Sequence, residues 1–210
     1  TQPGSLEHAV QGMDAVVHSL TKYISGNSDG LGGSISLARG LPAETKVKIR
    51  KHVALHGPIL HYFFAATLSK RMAGLAGRLR DSSSIARSIA EQFIKRGLRT
   101  YAPMVPKHYA QNAVLKKILF REDFGRGSVI AVDFETVTRA IEFVRQQAKQ
   151  FAGYSAVSLG SSHTYACAPV ISVSSGSSNG PKELTPSLVR IAIGYDLPAA
   201  HLWERFAKAL

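Results

Sequence analysis

Cysteine is almost absent from this chain: Cys167 is the only one, so no disulfide can form within it and a reducing compartment is expected. Acidic residues are scarce too, 14 against 26 lysines and arginines, which leaves a formal charge of +12. That excess favours anionic partners such as nucleic acid, ribonucleoprotein or acidic lipid, with a solvated basic face as the plain alternative. No apolar run is long enough to cross a bilayer, so no membrane span is expected. No signal peptide is expected from the residues that open the chain. It begins at Thr1 rather than methionine, which is the expectation for a processed or partial product. The location read from these features is intracellular, cytoplasmic or organellar, mitochondria included. Metal-ligand spacing is lacking as well: His52 and His56 stand four apart on an expected helix without a third ligand, so no metal site is expected.

What is present suffices for a core, since 45% of the 210 residues are hydrophobic and only 19% charged, consistent with one or two domains. Residues 1–13 read as a weak helix or loop. Strands are expected at 14–19, running on toward Lys22, and at 34–38. Helices are expected from Pro42 to Gly57 and over 59–72, the latter buried, with its aromatics in the core. Ser82 to Ser84 are placed to cap the next helix, whose Ile85, Ile89 and Phe93 recur every fourth residue and which ends at Gly97. Beyond it, strands are expected at 99–102, 129–134, 155–160, 170–174 and 188–194. Helices are expected at 106–119, 136–151 and from Pro198 to the C-terminus, with the glycine- and serine-rich stretch 174–181 as a flexible loop. This alternation predicts an α/β or α+β arrangement with helices over one face of a small sheet.

The stretch with most chemistry is Val16 to Gly33, VVHSLTKYISGNSDGLGG. β-Branched residues run into Ser19, Leu20, Thr21 and Lys22, and a turn rich in glycine and serine follows. A lysine amine in a water-poor site loses part of its preference for the charged form and becomes a nucleophile toward aldehydes. Ser19 and Thr21 offer hydroxyl donors to a phosphate on the same molecule. Together they suit pyridoxal 5'-phosphate, an aldehyde bearing a phosphate, although a solvated lysine beside an ordinary turn has the same spacing.

The string HSLTKYISGNSDGLGG resembles the Schiff-base lysine segment of the Cys/Met-metabolism family of pyridoxal-phosphate enzymes. That family comprises cystathionine synthases and lyases, methionine gamma-lyase and O-acylhomoserine sulfhydrylases. Its pattern is His-Ser-x-Thr-Lys-Tyr, then Gly-His-x-Asp and a glycine pair; this chain departs from it at Asn27, where histidine is usual. The resemblance implies the end of a fold-type I large domain followed by a small α+β C-terminal domain with its sheet covered by helices. The expected divisions are 1–42 for the end of the cofactor-binding domain, 43–74 for connecting helices and 75–210 for the small domain.

Two more sites follow from the same resemblance. The segment SLVRIAIG is similar to the family's Leu-Val-Arg-Leu-Ser-x-Gly strand, which makes Arg190 the expected binder of the substrate α-carboxylate. An arginine among β-branched residues needs an anion if buried, and an internal salt bridge is the alternative. AVSLG matches Val-Ser-Leu-Gly, where Ser158 is expected to position that carboxylate. An acidic residue is usual where His163 stands, so nothing catalytic is carried over to His163, Thr164 or Tyr165. Cys167 is expected to be a small buried residue rather than a nucleophile. In the family, the aspartate that meets the pyridine nitrogen, the ring-stacking tyrosine and the main phosphate loop lie upstream of the position of Thr1, and a second subunit contributes residues. Three readings stay open: half of a working lyase or transferase completed by another chain in an oligomer or larger complex; a fragment; or a catalytically silent basic subunit of an assembly such as an organellar ribonucleoprotein, meeting phosphates through residues 46–80.

Overall fold

A computed structural model describes residues 14–57, 59–110, 125–150, 153–169 and 185–210. The chain divides into two compact units, Thr1–Leu75 and Ala76–Leu210. The readings of residues 1–13, of a strand at 170–174, of a loop at 174–181 and of a helix through 111–119 fall outside the described residues.

In the first unit β1 (Ala15–Ser19) and β2 (Gly33–Leu37) pair antiparallel, Val17 opposite Ile35 and Ser19 opposite Gly33. Successive side chains leave a strand on opposite faces, so β1 buries Val16 and His18 and exposes Val17 and Ser19. The strand stops at Ser19. Lys22 is therefore not on it but on a π-type turn, Leu20–Ile24, kinked at the lysine itself, where φ is −88° and ψ −126°. Helix α1 (Ala43–His56) follows Pro42, whose carbonyl accepts the Lys46 amide at 3.1 Å. None of its residues is buried, in keeping with apolar positions that make no single stripe.

Helix α2 (Tyr62–Met72) is shorter and far more exposed than its composition suggests. Only Leu68 is buried, while Tyr62 is 67% and Phe63 64% exposed, and Ile59 ahead of the helix 92%. The expectation of a buried helix is thus corrected: burial depends on a facing surface, and among the described residues of this unit none covers that side. The face that is used runs Phe64, Leu68, Arg71, spaced as one side of a helix.

The second unit has a five-stranded sheet ordered β3 (Arg99–Tyr101), β4 (Val129–Asp133), β7 (Leu188–Ala192), β6 (Tyr165–Cys167), β5 (Tyr154–Ser155). All neighbours are antiparallel except β5 and β6. Ile130, Val132, Val189 and Ile191 point to a core shared with helices α3 (Leu75–Lys95), α5 (Val137–Lys149) and α6 (Ala199–Ala207), through Ile89, Phe93, Phe143, Leu202 and Phe206. A short α4 (Pro106–Ala110) follows β3. Thr136 caps α5 by accepting the Arg139 amide at 3.3 Å, and Gly97 ends α3 at φ +80°, a conformation glycine takes without a side-chain clash.

Two expectations fail here. Ser82 to Ser84 do not cap α3 but lie inside it: Ser82 Oγ donates within the helix to the Leu79 carbonyl at 3.3 Å, and Ser83 Oγ accepts the distant Arg126 amide at 2.8 Å. Residues 155–160 are not a strand beyond Ser155; the chain turns away so that the carbonyls of Val157 and Ser158 meet Arg190, with Gly160 at φ +77°. The short β6, by contrast, was not legible in the sequence.

Candidate active site

The expected site residues lie in two sets, Ser19, Thr21 and Lys22 on the first unit and Ser158 and Arg190 on the second. Around the lysine, the turn closes through Ser25 N donating to Leu20 O and Gly26 N donating to Lys22 O, both at 2.9 Å. The chain then returns along residues 27–32. Leu20 N donates to Gly32 O at 2.9 Å and Gly32 N to Thr21 Oγ1 at 3.0 Å. Thr21 thereby spends an acceptor position, and its O–H donates to Gly32 O over a long 3.5 Å. The Ser19 side chain is exposed at the strand end and does not cap the turn. An amine and two hydroxyl donors within four residues, with no acidic side chain on the turn itself, form a donor set that fits an aldehyde carrying a phosphate. Beneath them, burial holds the His18 imidazole below its ordinary value.

Sequence reasoning missed a multiply bonded polar cluster of this unit. Arg71 on α2 grips Asp29 through two nitrogens, at 2.7 and 2.6 Å, and reaches Ser25 Oγ at 3.1 Å; Ser25 Oγ donates to Asp29 at 3.1 Å. Forty-two residues separate Arg71 from Asp29, and no local pattern announces the pair. The hydrogen bond from Arg71, and to a lesser degree that from Ser25, pulls the Asp29 carboxyl down to about 2 against a smaller opposing effect of burial. Because the folded value lies below the unfolded 3.8, the pair's contribution is present above that pH and is lost as pH falls toward 2. Asp29 is 44% exposed, so the contribution is below about 1 kcal/mol. Acid titration followed by NMR of the Asp29 carboxyl is expected to show protonation near pH 2; a midpoint at or above 4 would mean that the pair does not form in solution.

In the second unit Arg190 stands at the middle of β7, opposite Ala131 on β4 and Cys167 on β6. It occupies the face opposite the helical core, since its neighbours Val189 and Ile191 point into that core. Its Nη2 donates to the carbonyls of Val157 and, at 3.0 Å, Ser158, while its Nε is buried without a hydrogen-bond partner. No described carboxylate pairs with it. A buried guanidinium N–H left open is costly, and a guanidinium's planar fork suits a planar anion. Burial pushes the adjacent Cys167 thiol up and so favours its neutral form, against the opposing charge of Arg190.

The basic segment 46–80 finds no support as a phosphate-binding surface. Arg71 is neutralised by Asp29, Lys46 donates to the Arg39 carbonyl at 2.6 Å, and Arg78 is half-buried. Among the described residues no helix is long and apolar enough to cross a membrane.

Residues 4–208 match the family described as Cys/Met metabolism PLP-dependent enzyme. A methionine gamma-lyase of Arabidopsis thaliana is 33% identical over 212 aligned positions, 99% of this chain but 47% of that protein. Among solved structures, MetB of Corynebacterium glutamicum superposes with a TM-score of 0.80 at 27% identity, covering 95% of this chain and 49% of that one. A putative O-acetylhomoserine (thiol)-lyase of Campylobacter jejuni, which carries a pyridoxyl-lysine phosphate, shares the fold with a TM-score of 0.77 at 19% identity, covering 94% of this chain and 54% of its own. The chain spans about half the length of that methionine gamma-lyase. It belongs to the Cys/Met-metabolism family of pyridoxal-phosphate-dependent enzymes.

Proposed function

We propose that this chain is the lysine-bearing half of an enzyme that eliminates or replaces a β- or γ-substituent of a sulfur-containing or O-acylated amino acid. The observation that carries this reading is Lys22, set on a kinked turn directly after the hydroxyl residues Ser19 and Thr21 within the family's motif. Residues 1–42 would then end the cofactor-binding domain, 43–74 connect, and 75–210 form the small domain. The exposed Val17, Ile35, Ile59, Tyr62 and Phe63 would be covered by the rest of the family fold, on the same or another chain, in an oligomer.

Pyridoxal phosphate, when bound, supplies an electron sink for charge developing at the substrate Cα. Ser19 Oγ and Thr21 Oγ1 would donate to its phosphate. Lys22 Nζ would hold the cofactor between turnovers and, once the substrate amine takes its place, move the Cα proton toward Cβ or the leaving group. Arg190 would clamp the substrate carboxylate through Nε, with Ser158 beside it, so that the substrate is held in one orientation.

The complete enzyme should convert methionine or cystathionine, with water, into an oxo acid, ammonia and a thiol, or replace the acyloxy group of an O-acylhomoserine by a thiol with release of the carboxylic acid. Absence of turnover on all three by an assembled, cofactor-loaded enzyme would overturn the reading. Arg190→Ala is expected to raise KM about 10- to 100-fold, the worth of a charge-assisted bidentate contact of roughly 1.5–3 kcal/mol. An unchanged KM would remove Arg190 from the site. Residues 1–210 by themselves should show no turnover, since they span only about half the length of the methionine gamma-lyase relative; a steady rate from this polypeptide alone would show that it needs no partner.

A further inference from the structure

We infer that Arg71 is a positioning residue for Lys22, acting through Asp29 and Ser25; this rests on the reading of Lys22 as the cofactor lysine. The turn that carries Lys22 is held from both ends. On one side Gly32 returns to Leu20 and Thr21, with Leu20 N at 2.9 Å from Gly32 O and Gly32 N at 3.0 Å from Thr21 Oγ1. On the other, the buried Ser25 and Gly26 close the turn by donating to Leu20 and Lys22. The same Ser25 hydroxyl accepts from Arg71 at 3.1 Å and donates to Asp29 at 3.1 Å.

Between these anchors the chain bends through Gly26 at φ +75° and Ser28 at φ +56°. The second of these is a conformation that a serine adopts only when its surroundings impose it. Helix α2 imposes it with one face. Phe64 lies so close to Gly30 that a Cβ there would stand 2.2 Å from the ring, Leu68 is buried one turn on, and Arg71 closes the face with the bidentate grip on Asp29 at 2.7 and 2.6 Å. Apolar packing sets the distance between helix and loop. The Arg71 fork sets orientation, because a guanidinium and a carboxylate meet in one plane with two parallel hydrogen bonds. Releasing Asp29 frees Ser25, and with it the hydrogen bonds that fix the Lys22 carbonyl and the kink. The amine then samples many directions, and a lysine that must meet one aldehyde carbon loses the advantage of being held there.

The test uses the full chain incubated with pyridoxal phosphate and then borohydride, with label at Lys22 and at the exposed Lys149 measured by peptide mass spectrometry. Lys22 should be labelled in preference to Lys149 in the native sequence. Arg71→Ala and the nearly isosteric Asp29→Asn should each lower the ratio of Lys22 to Lys149 labelling about tenfold or more at pH 7.5. Arg71→Lys should recover part of it, and the exchange Asp29→Arg with Arg71→Asp more than either single change. A purely structural role would lower the melting temperature without altering that ratio below it. Equal ratios in Asp29→Asn and the native chain overturn the inference even if Arg71→Ala fails to fold. Absence of preferential Lys22 labelling in the native chain instead overturns the reading of the lysine itself, and the two failures are thereby told apart.

Discussion

Lys22→Ala is expected to abolish covalent retention of pyridoxal phosphate and to lower the turnover of the complete enzyme by about 10³-fold, within the range for losing a positioned general acid and base. The side chain has two tasks in this scheme, holding the cofactor and moving a proton, and alanine performs neither. Both losses are measurable separately. The native chain reduced with borohydride in the presence of the cofactor should gain the mass of one pyridoxyl group on the peptide containing Lys22, and the variant should not. The visible-edge absorbance of the bound cofactor should disappear with it. Label transferred undiminished to another lysine of the variant, with activity kept, would place the chemistry elsewhere. Neighbouring positions would not mimic the effect, since Ser19 and Thr21 donate hydrogen bonds and can hold a phosphate but cannot form a bond to the aldehyde carbon.

Phe93→Ala should destabilise the second unit by about 3–5 kcal/mol, the cost of deleting a fully buried ring together with the cavity it leaves. The ring is completely buried and meets four others, with centroids 6.3 Å from Phe134, 6.0 Å from Phe143, 5.9 Å from Phe206 and 5.2 Å from Trp203. It thus joins α3 to β4, α5 and α6, so the gap cannot close by moving one element. A loss of that size consumes much of the roughly 5–15 kcal/mol that keeps a domain folded. Trp203 is the sole tryptophan and stands edge-on to Phe93, so its fluorescence in a urea titration reports the same core. A change below about 1 kcal/mol would mean that the aromatic cluster is not packed as described.

Local chemistry was enough for much of this protein. The β-branched runs at 15–19, 129–133 and 188–192 became strands because such side chains fit the pleat, Pro42, Thr136 and Pro198 stand at helix starts, and Gly97 ends α3. The family motif around Lys22 was legible because its residues stand at fixed spacing within one short stretch. Tertiary structure alone decided the rest. Ile59 to Met72 reads as core, yet much of it is exposed, since hydrophobicity states a preference and only a facing surface satisfies it. Ser82 to Ser84 read as a cap, yet Ser82 bonds the helix backbone and Ser83 meets Arg126. The Arg71–Asp29 pair and the carbonyls that hold Arg190 join residues 42 and 32 to 33 positions apart. Such contacts exist only after the chain has folded back on itself, and a hydrogen bond between distant residues leaves no periodicity behind in the sequence.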